Sequence, residues 1–190
     1  TILLTSCSSD DFSNEIEEIN SLKYGDEVFQ LSQGLEEVFK LDDNHSSSQI
    51  NITDGEFYST QVVIFGNLNL IWRARNASVW MYIDMYAPGF NGLGNGTYEF
   101  RPNDIDENEP TLANIHFFKK GKIALDLNND GEIERENEFL EITGGNIKLE
   151  LSGDDYIIEF NLKLENGGDV NGVFTGNFNQ VLLSDFFEAS

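Results

Sequence analysis

The sequence predicts an all-β fold, an antiparallel β-sandwich or flattened barrel of about ten strands. From Tyr24 onward, short apolar runs are separated by Gly, Asn and Asp, a texture typical of strands joined by turns. Fifteen Phe, six Tyr and two Trp stand against two Met and three Pro, and aromatic side chains favour strands. Because 39% of the 190 residues are hydrophobic, the chain can bury one sizeable core and is not expected to be disordered.

The N-terminal segment carries a different signal. Leu4-Thr5-Ser6-Cys7, behind the apolar Ile2-Leu3, resembles the lipobox of bacterial lipoproteins, in which an aliphatic residue and two small residues precede the lipidated Cys. Residues 1–6 would then be the end of a signal peptide. Cys7 is the only Cys, so no internal disulfide is expected. The resemblance implies that two or three acyl chains on Cys7 anchor the protein in a membrane.

The residues after Cys7 form an acidic linker. Ser8-Ser9-Asp10-Asp11 resembles the export tag of surface lipoproteins in Bacteroidota, which implies an outer-membrane lipoprotein that faces outward. A domain that faces the periplasm is the alternative. We assign residues 7–24 to a lipidated, flexible tether, because Ile16 and Ile19 are its only helical-looking apolar pair, and residues 25–190 to a single β domain.

The strands of this domain are predicted from apolar runs and period-two alternation. Two short glycine-containing segments, residues 32–34 and 120–121, are expected to be hairpin loops. The clearest alternation lies in residues 155–164, where five apolar side chains should face the core: Tyr156, Ile158, Phe160, Leu162 and Leu164. The candidate strands are residues 27–31, 35–40, 49–53, 56–65, 68–75, 78–87, 97–100, 112–119, 122–127, 146–151, 155–164, 172–178 and 181–183.

The succession of strands and turns has a familiar form. Asn95-Gly96-Thr97-Tyr98-Glu99-Phe100, Gly144-Gly145-Asn146-Ile147 and Gly172-Val173-Phe174-Thr175-Gly176 resemble segments of the uncharacterised β-rich lipoproteins that are abundant in Bacteroidota. The resemblance covers most of residues 24–183 and rests on the spacing of strands and turns. It implies a lipidated β domain and brings no known activity with it.

The charge balance excludes one class of partner. The chain has 34 Asp and Glu against 11 Lys and Arg, a net charge of −23. Nucleic-acid binding depends on Lys and Arg that neutralise phosphates, so no nucleic-acid partner is expected. The acidic excess suits a soluble surface, or a partner that is cationic or presented through Ca²⁺.

One acidic segment has the spacing of a calcium loop. Asp126-Leu127-Asn128-Asn129-Asp130-Gly131-Glu132-Ile133 matches the first eight positions of an EF-hand loop, in which alternate oxygen atoms point at one centre. Position 12, where a bidentate Glu is expected, holds Asn137. A structural Ca²⁺ is one interpretation and an acidic β-turn is the other. The candidate ligands are Asp126, Asn128, Asp130, the carbonyl of Glu132, and a closing carboxylate from Glu134, Glu136 or Glu138.

A second candidate site is an aromatic row on the predicted strand 78–87. Val79, Met81, Ile83 and Met85 alternate with the row, so if they face the core, the row points outward. Aromatic rows stack on the C–H faces of sugars and other flat apolar ligands. The alternative is that both faces are buried, beneath a covering loop. The candidate ligand-binding residues are Trp80, Tyr82, Asp84 and Tyr86, with Trp72 on the preceding strand.

No catalytic motif is found. The glycine-rich residues 89–96 lack the Lys-Ser/Thr ending of a phosphate-binding loop, and neither His45 nor His116 has a metal-ligand or triad spacing. We therefore expect a non-catalytic envelope lipoprotein that binds or displays a ligand, for which a glycan is a candidate. The first alternative is an envelope enzyme that acts on glycans through paired carboxylates. The second is a structural or assembly subunit without a small-molecule site.

Overall fold

The computed structural model of the chain describes residues 20–39, 45–64, 67–89, 92–106, 109–128, 130, 133 and 138–182. These residues form thirteen strands and no helix, so the predicted all-β class is confirmed. The strands are β1 (Ser21–Tyr24), β2 (Glu27–Gln30), β3 (Gln33–Val38), β4 (His45–Thr53), β5 (Glu56–Ile64), β6 (Asn67–Arg75), β7 (Val79–Pro88), β8 (Gly96–Phe100), β9 (Phe117–Leu125), β10 (Phe139–Ser152), β11 (Asp155–Leu164), β12 (Asp169–Gly176) and β13 (Phe178–Leu182).

Eleven of the described strands form one curled sheet in the order β13-β3-β4-β7-β9-β8-β10-β11-β12-β1-β2, and β5 and β6 form a separate antiparallel pair. Two pairings in the sheet, β13 with β3 and β8 with β9, are parallel, and the others are antiparallel. β2 and β3 lie near opposite ends of this order, yet only Leu31 and Ser32 connect them. Gln30 and Gln33 are three residue steps apart and can be separated by at most about 11 Å, so the sheet must curl until its two ends nearly meet.

The curled sheet encloses the core. We call β13, β3, β4, β7 and β9 the first half and the strands from β8 to β2 the second half. Apolar side chains of the first half, such as Ile50, Met81 and Ile83, belong to one buried cluster with Ile158 and Phe160 of the second half. Along β11, buried Ile158, Phe160, Leu162 and Leu164 alternate with exposed polar residues, which confirms the predicted alternation.

A buried carboxylate joins the two halves inside this core. Glu36 on β3 is 1% exposed and accepts hydrogen bonds from Ser48 Oγ at 2.7 Å, Tyr156 OH at 2.9 Å and Gln180 Nε2 at 2.8 Å. The three donors lie on β4, β11 and β13. A buried carboxylate needs such donors to offset its lost hydration. Burial, followed by the negative charge of Glu36, raises the pKa of Tyr156 to about 12.

Neither of the two segments predicted as hairpin loops forms a hairpin loop in the structure. Gln33 and Gly34 begin β3, and a Cβ at Gly34 would lie 2.7 Å from the Phe178 ring, so this glycine serves close packing. Lys120 and Gly121 lie inside the continuous strand β9, where the register against β7 shifts at a bulge. Glycine is a common turn residue, whereas here β9 continues through Gly121, which pairs with Ile83 of β7.

The sheet also begins earlier than the sequence suggested. Ser21–Tyr24, assigned to the end of the tether, form β1 between β12 and β2. Leu22 is fully buried, and this burial outweighs the polar character of the surrounding sequence. Residues 7–19 of the predicted tether, with Cys7 and the Ser8-Ser9-Asp10-Asp11 tag, lie outside the described residues. Within the described ranges, no helix has the length and apolarity that a membrane span requires.

Candidate functional site

Strand β7 has the two faces that the sequence predicted. Val79, Met81, Ile83 and Met85 are at most 2% exposed and belong to the core cluster. The intervening residues, from Trp80 to Tyr86, are half-buried on the opposite, outer face of the sheet. The period-two rule of strands is sufficient to explain this division, because successive side chains point to opposite faces.

A cavity of about 410 Å³ lies between this outer face and the β5–β6 pair. Three of the five predicted ligand-binding residues line it, Trp72 from β6 and Trp80 and Tyr82 from β7. Asp84 and Tyr86 are not among its described lining residues, and Tyr86 instead stacks on Phe117 with ring centroids 4.7 Å apart. The remaining lining residues come from four strands: Gln49, Ile71, Lys122 and Phe139.

The aromatic rings of the cavity are held in defined positions. The Trp80 ring lies 5.9 Å from Tyr82 and 5.7 Å from Phe139 between centroids, and its Nε1 donates to Asn51 Oδ1 at 3.3 Å. Trp72 differs, because its Nε1 is buried without a hydrogen-bond partner in the described part of the chain. An unpaired buried donor costs about 1–3 kcal/mol. The Trp80 indole is therefore held by a hydrogen bond, whereas the Trp72 indole N–H has no hydrogen-bond partner among the described residues.

Two carboxylates lie beside the cavity on the same outer face. In the register of the sheet, Glu37 on β3 lies opposite Gln49 on β4, and Gln49 lies opposite Asp84 on β7. This row places the Glu37 and Asp84 Cα atoms two strand spacings apart, about 9.6 Å. Glu37 Oε1 accepts from Asn51 Nδ2 at 3.1 Å, and Asp84 Oδ1 accepts from Gln49 Nε2 at 2.9 Å. Each carboxylate thus accepts a hydrogen bond from one side-chain amide.

The environment makes both carboxyl groups harder to ionise. Burial raises the pKa of Glu37, the Asn51 hydrogen bond lowers it, and the negative charge of Asp84 raises it again. Burial also raises the pKa of Asp84, against the Gln49 hydrogen bond and the positive charges of Lys120 and Lys119, which lower it. The desolvated charged form is disfavoured in each case.

Sequence reasoning missed Glu37, Gln49, Asn51 and Lys122. A signal was present in β4, where Gln49 and Asn51 alternate with buried Ile50 and Ile52. This alternation places the two amides on the face opposite the core. Which carboxylates lie next to them could not be inferred, since that depends on the pairing of β4 with β3 and β7.

The candidate calcium loop is described only in part. Asp126 Oδ1 and Asn128 Oδ1 both accept from the backbone N–H of Asp130, at 3.2 and 2.9 Å, and Asn128 Nδ2 donates to Asp130 Oδ2 at 3.0 Å. These bonds form a tight acidic turn. Glu132, Glu134 and Glu136 lie outside the described residues. Within the described ranges, no group of three or more acidic, His or Cys side chains could hold a metal ion, Glu138 included. Calcium binding stays a prediction.

Comparisons of the chain with protein-family models, with curated proteins and with solved structures found no match.

Proposed function

We propose that the protein is a non-catalytic, carbohydrate-binding lipoprotein of the bacterial outer membrane, which holds a glycan in the cavity between Trp72 and Trp80. The observation that carries the proposal is the cavity itself, which has four aromatic side chains and two polar side chains in its wall. Ligand sites have volumes of about 300–1,000 Å³ and combine apolar walls with a few placed polar groups. Indole and phenol rings stack on the apolar faces of sugars.

The polar groups of the cavity suit a hydroxylated ligand. Gln49 and Lys122 line the cavity, and a sugar hydroxyl can accept one hydrogen bond while it donates another. Lys122 Nζ lies 3.3 Å from Glu141 Oε1, so its charge is already paired with a carboxylate. A neutral sugar therefore fits this wall better than an anion. Polar side chains placed in an aromatic wall favour a binding protein over an assembly subunit without a ligand site.

The two Trp residues of the chain both line the cavity, so intrinsic Trp fluorescence reports on this site alone. The full chain with Cys7→Ser would be titrated with maltohexaose, cellohexaose, laminarihexaose, xylohexaose, mannohexaose and hexa-N-acetylchitohexaose, and with oligogalacturonate as the acidic comparison. We expect a saturable change with at least one neutral sugar. Calorimetry should show that Trp72→Ala and Trp80→Ala each weaken binding about tenfold.

Tyr58→Ala is the matched control. Tyr58 is an aromatic residue of the same β5–β6 pair, but it contacts Arg75 and does not line the cavity. It should bind as the wild type does. Absence of binding to every sugar, or equal binding by both Trp variants and the wild type, would refute the proposed function.

The second candidate is a glycan-acting enzyme. It is favoured by the Glu37 and Asp84 row, because glycosidases use a pair of carboxyl groups and these two lie on one face of the sheet. Neither carboxylate is a lining residue of the cavity, and each accepts a hydrogen bond from an amide, which favours the binding role. Release of new reducing ends from the same sugars, lost in Glu37→Gln and in Asp84→Asn, would favour the enzyme instead.

A further inference from the structure

We infer that Gln49 determines the specificity of the cavity for an uncharged, hydroxyl-bearing ligand, and that Asp84 is the residue that positions Gln49. This inference rests on the proposed carbohydrate-binding function and deepens it. It also gives the buried acidic row a role that does not require catalysis.

The hydrogen bond to Asp84 sets the orientation of the Gln49 amide. Gln49 Nε2 donates to Asp84 Oδ1 at 2.9 Å. An ionised carboxylate accepts hydrogen bonds but cannot donate them, so only the nitrogen end of the amide can face Asp84. The carbonyl Oε1 of Gln49 then points away from Asp84, and it accepts no hydrogen bond within the described part of the chain. Gln49 lines the cavity, so this oxygen is available to a ligand donor.

The neighbouring amide makes the assignment specific to Gln49. Asn51 donates through Nδ2 to Glu37 Oε1 at 3.1 Å and accepts through Oδ1 from Trp80 Nε1 at 3.3 Å. Both ends of the Asn51 amide are therefore occupied, and Asn51 is not a lining residue. Its function is to hold Trp80. Of the two amides on this face of β4, only Gln49 has a free end at the cavity.

The cavity thus presents one free hydrogen-bond acceptor. Gln49 Oε1 can accept from a ligand hydroxyl, whereas the unpaired Trp72 Nε1 is buried. The carboxylate of Asp84 lies directly behind the amide and disfavours an anionic ligand. A ligand without hydroxyl or N–H groups would leave the Gln49 carbonyl unpaired, and such a mismatch is strongly discriminated against. A neutral sugar supplies the hydroxyl donor that the Gln49 carbonyl requires.

The positioning role of Asp84 predicts a pH dependence. A protonated Asp84 can donate to Gln49 Oε1, which would turn the amide and remove the acceptor from the cavity. The charged groups that act on Asp84 are Glu37 from β3 and Lys119 and Lys120 from β9. Burial, the largest influence, raises the pKa of Asp84. Binding should therefore weaken as the pH falls through this raised pKa.

The test compares Gln49→Ala and Asp84→Asn with the wild type, all in the full chain with Cys7→Ser. The probe is whichever of the six neutral hexasaccharides the wild type binds most tightly, with oligogalacturonate as the acidic comparison. Gln49→Ala should bind the neutral sugar about five- to tenfold more weakly, the size of one net hydrogen bond. Asp84→Asn is isosteric, and its affinity should not change across the acidic pH range in which the wild type weakens.

Two control variants separate charge from position. Glu159→Gln removes a carboxylate that pairs with Lys148 on the second half of the sheet, and it should leave affinity and pH profile unchanged. Glu37→Gln should keep a pH-dependent affinity, since Glu37 holds Asn51 and not Gln49, but the loss of its negative charge, which acts on Asp84, should shift the profile to lower pH. A merely structural Asp84 would lower the melting temperature of Asp84→Asn without altering its pH profile.

The outcomes distinguish failure of the proposed carbohydrate binding from failure of the roles inferred for Gln49 and Asp84. If the wild type binds no sugar, the proposed function fails and this inference fails with it. If the wild type binds and both Trp variants weaken binding, while Gln49→Ala binds normally or Asp84→Asn keeps the wild-type pH profile, only the inference is overturned. Weaker binding by Gln49→Ala together with a flat profile for Asp84→Asn supports it.

Discussion

Replacing Tyr156 with Phe should weaken the connection between the two halves of the curled sheet. The Tyr156 hydroxyl donates to Glu36 Oε2 at 2.9 Å, across 120 residues of chain. The substitution leaves the ring, which packs on Phe178 at 4.8 Å between centroids, and removes the hydroxyl, which also accepts a hydrogen bond from Gln180 Nε2 at 3.3 Å. Gln180 and Ser48 remain as donors to Glu36, so the carboxylate stays partly satisfied.

The expected magnitude follows from the charge and burial of the pair. A hydrogen bond to a charged group contributes about 1.5–3 kcal/mol. Since Tyr156 is only half-buried, we expect the lower end, about 1.5 kcal/mol. For a domain of this size that corresponds to a melting temperature lower by about 3–6 °C. Urea unfolding followed by circular dichroism would measure the free energy, with an unchanged slope indicating an unchanged fold.

Tyr24→Phe provides the matched control. The Tyr24 hydroxyl accepts a neutral hydrogen bond from Asn166 at 2.9 Å in an exposed setting, so its loss should change the free energy of unfolding by less than about 0.5 kcal/mol. Equal effects of the two substitutions would refute the view that the Glu36 network joins the halves.

The same pair predicts an alkaline effect. The pKa of Tyr156 is about 12 in the folded protein, raised from 10.0. The raised value stabilises the folded state fully below pH 10, and this contribution is lost as the pH rises from 10 towards 12, because the unfolded chain loses its proton first. The stability difference between wild type and Tyr156→Phe should therefore shrink across that window. A difference that stays constant up to pH 12 would contradict the raised pKa.

Three further predictions concern the N-terminus and the acidic turn. Cys7→Ser should release the protein from the membrane fraction or leave an unprocessed precursor, as cell fractionation would show, and a variant still lipidated and membrane-bound would contradict the anchor. Asp10→Ala with Asp11→Ala should leave lipidation intact but protect the domain from protease added to whole cells, whereas unchanged proteolysis would contradict the export tag. Calcium at 1 mM should raise the melting temperature of the wild type by about 1–6 °C, the effect of 0.4–1.4 kcal/mol for a dissociation constant of about 10⁻⁴ to 10⁻³ M. Mg²⁺ should do less, and Asp126→Ala with Asp130→Ala should abolish the calcium response; equal responses would indicate an ordinary acidic turn.

Much of the candidate site could be predicted because alternation along a strand is a local property. The sequence of β7 divides Met81 and Ile83 from Trp80 and Tyr82, and no knowledge of the partner strands is needed for that. The same rule identified the buried face of β11. The presence of Trp72 near Trp80 was also anticipated, because the two residues lie on neighbouring strands in sequence.

The tertiary structure alone decided which strands meet. Glu37, Gln49 and Asp84 form one row only because β3, β4 and β7 pair in one particular register, and a shift of one residue would move each side chain to the other face. The segment from β2 to β3 reads locally as a hairpin, yet it crosses between the ends of the curled sheet. Strand character follows from the order of side chains along the chain, whereas pairing depends on packing between distant segments, and the sequence by itself determined only the first.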